Sequence, residues 1–221
     1  MQVLVKPQRD RISGPYMDIR KGKFVRRNLV EIRKQGFSFF FVAAITELKK
    51  LLAAAEPAEL GPGPRKGVQS EAELTAALEE LFAREPMQNR ELIRALILLW
   101  HDHLEAAHVI AQDIDNADGA FVHGIVHRRE PDYGNAKYWF RRVGKHPAFP
   151  ELAKRAAELV ADKEAELRDK IVPQGQWDAF AFVDACERAN RSSSAEEERG
   201  VLRKLQAIES AVLLERFCSE L

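Results

Sequence analysis

The sequence predicts an all-α protein: a multi-helix globular domain of six or seven helices behind an N-terminal extension whose first residues, MQVLV, have the character of a short strand. Three observations carry this. Apolar residues beyond residue 70 recur at three- and four-residue spacing, which stripes one face of a helix. Helix-opening signals recur, with Ser70 followed by Glu73 and Ser194 by Glu197, the spacing of a capping box. Prolines fall between the periodic stretches or at their first turn rather than within them.

In chain order, residues 1–56 form a basic region containing one helix, which FSFFFVAAITELKKLLAAA completes with strong helix formers. Residues 57–70, PAELGPGPRKGVQS, concentrate residues that break both helix and strand, so they form a linker. Residues 71–221 form the helical domain. Its first helix runs through ELTAALEELFARE. A long helix spans about Asn89 to Ile114, and a shorter one spans Asp118 to Arg129, stopped by Pro131. Asn135 caps a helix through AKYWFRRV, ended by Gly144 and Pro147. Further helices cover about 150–171, 177–190 and 195–219.

Lys+Arg and Asp+Glu balance at 34 each, which removes any global field that would draw nucleic acid or an anionic membrane. Charge is nonetheless segregated: residues 1–50 carry twelve basic against four acidic side chains, and residues 151–221 carry eleven against fifteen. The basic region is suited to docking on the acidic helices, or to an external anion. Nucleic-acid binding through RKGKFVRRNLVEIRK (20–34) is the weakest of these readings. The apolar run FSFFFVAAI suits intramolecular packing or a homodimer contact, and it is too short to span a bilayer. Two cysteines without CxxC spacing and the lack of a secretory pattern point to a soluble, cytoplasmic protein with reduced thiols.

Chemistry concentrates in two stretches. WHDHLEAAH (100–108) holds three of the six histidines. On one continuous helical wheel His103 falls inside the apolar arc, whereas His101 and His108, seven residues apart, align at its polar edge beside Gln112. The second stretch is FVHGIVHRREPDYGNAKYWFRR (121–142). His123 and His127, at i and i+4, face one side of a helix and could share a metal ion with His108, although the glutamate of HExxH is missing. Gly124 between them allows a close approach, by a neighbouring helix or by a ligand. Arg128, Asn135, Tyr138, Trp139 and Arg142 supply forked donors and stacking faces suited to an anionic or sugar-like ligand. A purely structural arginine network would use the same residues.

Familiar catalytic templates (GxSxG, GxxxxGK[ST], GxGxxG) are absent, and no residue stands out as a nucleophile. LLWHDHLEAAHVIAQDI, DGAFVHGIVHRREPDYGNAKYWFRRVGKHP, WDAFAFVDACERA and LQAIESAVLLERF together resemble an uncharacterised family of soluble helical proteins with WHDH, HxxxHRRE and NAxYWxRRVGxHP motifs. The resemblance covers about residues 85–221. It implies that these residues form one unit in which the two histidine stretches meet, and it brings no activity.

The sequence therefore points to one polar pocket for a small polar or anionic ligand. His101, His108, His123, His127 and Glu130 are the candidates for acid/base or metal-assisted hydrolytic chemistry. Gln112, Arg128, Asn135, Tyr138, Trp139 and Arg142 are the candidates for binding. A divalent metal on His123, His127 and His108 and a pocket with no cofactor are both compatible with these residues. The alternative is an interaction or structural module whose His/Arg/Tyr cluster only ties helix junctions together.

Overall fold

A computed structural model describes residues 42–53, 55–85, 87–160, 165–192 and 195–219. The expected N-terminal strand and the basic stretch 20–34 lie outside these residues, as does most of FSFFFVAAI. Among the described residues the chain is all-α, with ten helices and no strand. They are α1 (42–53), α2 (Glu71–Arg84), α3 (Arg90–Trp100), α4 (Leu104–Gln112), α5 (Ala117–Arg129), α6 (Tyr133–Val143), α7 (Phe149–Leu159), α8 (Ala165–Ile171), α9 (Ala179–Arg191) and α10 (Glu196–Ser219). None is long and apolar enough to cross a membrane.

The six or seven expected helices become ten chiefly because two long ones are broken. The stretch 150–171 divides into α7 and α8. The stretch 89–114 divides at His101–His103, and that break has a visible cause. Asp102 adopts a left-handed backbone with φ +67°, a conformation that costs a non-glycine residue energy and stops the helix. Its carboxylate is buried, accepting from Arg65 Nε at 3.0 Å, the Arg65 backbone N–H at 2.7 Å and Arg129 Nη2 at 2.6 Å. Burial alone would raise the Asp102 pKa, but the Arg65 and Arg129 hydrogen bonds outweigh it and hold the carboxyl below its ordinary value.

Because the helix breaks, the continuous wheel fails. His101, expected at a polar edge, is fully buried, and His103, expected in the core, is only half-buried. His103 Nε2 lies 2.8 Å from the carbonyl oxygen of Gln69.

The Gly/Pro-rich stretch 57–70 is loop, and it lies against the helices. Ala58 and Leu60 are buried, and the carbonyls of Glu59 and Gly61 accept from the Arg129 guanidinium at 3.1 Å each. Ser70 then opens α2 with the expected capping box: Ser70 Oγ accepts from the Glu73 N–H at 3.3 Å, and Glu73 Oε2 accepts from the Ser70 N–H at 2.9 Å.

At the centre lies α5, whose residues Asp118 to Arg129 are all buried. Asn116 caps it, its side chain accepting from the Gly119 N–H at 2.8 Å. Gly119 is required by space, because a Cβ there would come within 2.2 Å of the Ile114 carbonyl oxygen. Helices α4 and α6 pack on α5 from either side in sequence. Gly124 meets the Phe140 ring of α6, which an added Cβ would approach to 3.1 Å. Helix α6 starts three residues earlier than its sequence suggests, since the cap is Asp132, whose carboxylate accepts from the Asn135 N–H at 3.1 Å.

The adjacent arginines of α5 leave in different directions. Arg128 is fully buried against α10, where Glu209 accepts two hydrogen bonds and Gln206 one. Arg129, equally buried, ties α5 to the 59–61 loop and to Asp102. A second buried polar group joins α5 to α10: Asp118 accepts from His146 Nε2 at 2.9 Å and from Arg216 at 2.7 and 3.0 Å.

Candidate metal centre

Helices α4 and α5, joined by a short turn, bring His108 against His123 and His127. The i,i+4 spacing puts the two α5 rings on one face, centroids 4.8 Å apart and planes within 20°. His108 meets both edge-on, at 4.5 and 4.9 Å. One ring nitrogen from each histidine can be chosen so that all three lie within 4.8 Å of one another. This is the one such group of three or more His, Cys, Asp or Glu among the described residues.

Trp139 of α6 stacks on the His123 face at 3.8 Å and 19°, so indole and two imidazoles form one pile. The Arg142 guanidinium covers the Trp139 ring at 5.2 Å. His123 and His127 are buried, at 3% and 6% exposure, while His108 is half-buried and gives the trio its more open side.

Neither ring nitrogen of His123 has a hydrogen-bond partner. Buried polar atoms in native proteins are nearly always paired, and an unpaired one costs about 1–3 kcal/mol, so two on one ring call for an explanation such as an ion or a water. Burial, with His108 and His127 alongside, pushes the His123 pKa down to about 4. Burial likewise lowers that of His127, against the pull of Glu130. At neutral pH His123 is therefore an uncharged imidazole with the lone pair of one ring nitrogen available, the form that binds metals. Glu130 Oε2 stands 3.0 Å from His127 Nδ1, an ion-pair distance without full hydrogen-bond geometry.

The other sequence candidates are distributed differently. His101 is remote in role: its Nε2 lies 2.9 Å from the Leu51 carbonyl oxygen and its Nδ1 accepts from the Gln69 N–H at 3.2 Å. Both nitrogens are engaged, which makes it a strut holding α1 and the 57–70 loop to the end of α3. Arg128 is consumed by Glu209 and Gln206 inside the core. Gln112 is exposed one helical turn beyond His108, and Asn135 is half-buried in the first turn of α6. Tyr138 is 47% exposed, edge-on to Trp139 at 5.5 Å. Arg142 pairs with Asp115 at 3.0 Å at the surface. Sequence reasoning did not single out His146, which the structure places in the buried group with Asp118 and Arg216; nothing in its local sequence, GKHPAF, marks it.

The fold and the trio define a helical protein with three imidazoles gathered at one point. The chain matches no family model, no curated protein and no solved structure in the comparisons made.

Proposed function

We propose that His108, His123 and His127 hold a divalent transition metal ion, and that the protein uses it in metal-assisted hydrolytic chemistry on a small polar or anionic molecule. The observation that carries this reading is the pair of buried, unpartnered nitrogens of His123 beside two further imidazoles. Three imidazoles are a donor set for zinc, copper, iron or nickel, and three protein ligands are the pattern of catalytic rather than structural zinc sites.

Zinc–nitrogen bonds of about 2.0–2.1 Å put tetrahedral ligand atoms about 3.3 Å apart. The trio, spanning 4.8 Å, would close by roughly 1.5 Å as the imidazoles turn their lone pairs inward, and the stacked pair must open for this. Elemental analysis of untagged protein tests the reading. Near one equivalent of metal, lost in His123→Ala, is the expected result, and metal-free wild-type protein that takes up none on dialysis overturns it.

A second reading is favoured by the stacking itself: Trp139, His123 and His127 already pack face to face, as a structural knot would. That reading expects His127→Ala to melt many degrees lower with no change in metal content.

A further inference from the structure

If the trio holds a metal, the surroundings specify what the metal would keep free. Among the described residues no fourth His, Cys, Asp or Glu has a ligand atom within the group. The nearest carboxylate, Glu130, faces His127 Nδ1 at 3.0 Å, the outer position of a carboxylate–histidine–metal relay. With Nδ1 turned to Glu130, the nitrogen His127 offers inward is Nε2. Trp139 covers one flank of the buried pair, and the half-buried side belongs to His108.

We infer that the centre has three protein ligands and a fourth, exchangeable position reached from the His108 side, which takes water or a small anion. Glu130 is a positioning residue that fixes His127 as an Nε2 ligand. This rests on the metal reading above, and it adds that the site is open. An open position is what separates a centre that can activate water or polarise a substrate oxygen from one that only staples helices.

The test loads apo-protein with cobalt(II), whose visible absorption reports its coordination, and then titrates azide. Cobalt bands that shift saturably with azide are expected. Bands that form but do not respond to azide overturn the open position while leaving the metal reading intact, whereas failure to bind cobalt at all overturns both.

For Glu130, the variant Glu130→Gln should bind cobalt about 10- to 100-fold more weakly, the usual loss when the carboxylate behind a histidine ligand is removed, while keeping the azide response. In the wild type, long-range proton–nitrogen NMR should place the His127 proton on Nδ1, and the variant should lose that preference. Unchanged cobalt affinity with an unchanged tautomer overturns the positioning role. The Glu130 side chain is 30% exposed, so the substitution leaves the core intact.

Discussion

Arg129 donates to Asp102 at 2.6 Å, with both side chains 1% exposed, and the bond crosses from the middle of the fold to the left-handed corner that separates α3 from α4. A buried pair of this kind is costly to break from one side, because the survivor keeps a charge without its partner. Asp102→Asn retains a residue type that tolerates the left-handed region but removes the charge. It should lower stability by about 3 kcal/mol or more, a drop in Tm of roughly 6–12 °C for a chain of this size. Thermal denaturation reads this directly, and an unchanged Tm would mean that the corner is held by something else.

His108 separates metal binding from folding. It is half-buried on α4, so His108→Ala should cost under about 1 kcal/mol of apo-protein stability. The same change removes one of three ligands, and metal measured after dialysis should fall well below one equivalent. A variant that retained the wild-type metal content would sink the trio as a ligand set.

Trp139 should report metal binding optically. Its indole lies 3.8 Å from the His123 ring, which must turn to offer a lone pair. Adding zinc to apo-protein should alter tryptophan emission saturably, and Trp139→Phe should abolish the change although Trp100 and Trp177 remain. Identical titrations in both proteins would show that the pile does not move.

His123 and Asp118 contribute to acid stability in separate windows. The His123 pKa falls from its ordinary 6.5 to about 4 in the folded protein, so the unfolded chain takes up the proton first. The stability that His123 contributes to the apo-protein is thus fully present above about pH 6.5 and declines as pH falls toward 4. His123→Phe should flatten this limb in equilibrium denaturation at stepped pH.

Asp118 acts further down. Burial opposes its charge, yet hydrogen bonds from His146 and Arg216 hold its pKa at about 2 against an ordinary 3.8. That difference is worth on the order of 2 kcal/mol, present above about pH 4 and lost as pH falls through 2. In Asp118→Asn the stability curve should lose its slope between those values. A variant as acid-sensitive there as the wild type would assign the loss to other carboxylates.

The convergence of His123 and His127 was legible because i,i+4 spacing on a helix fixes it, and His108 followed from two helices joined by a short turn. The fate of His101 and His103 was not legible. Their placement depends on a break at Asp102, which depends on Arg65 and Arg129, 37 and 27 residues away. Local propensity carries no record of such partners. Arg128 failed as a ligand candidate for the same reason: an arginine beside a histidine looks like a pocket wall until Glu209, 81 residues on, is seen to claim it. The Ser70 cap was easier, since it acts on its own neighbours, and Asp132 displaced Asn135 by only one turn.

The two helices that carry the trio differ in how firmly they are held. Helix α5 is enclosed over twelve consecutive residues, whereas α4 buries only Leu104, Ala107 and Ala111 and begins beside the Asp102 corner. Local opening follows buried contact, so α4 is expected to open before α5. The rate at which an ion arrives and leaves would then be set by the swing of His108 with its helix. Amide hydrogen exchange should find α4 unprotected long before α5, and a bound ion should slow α4 most.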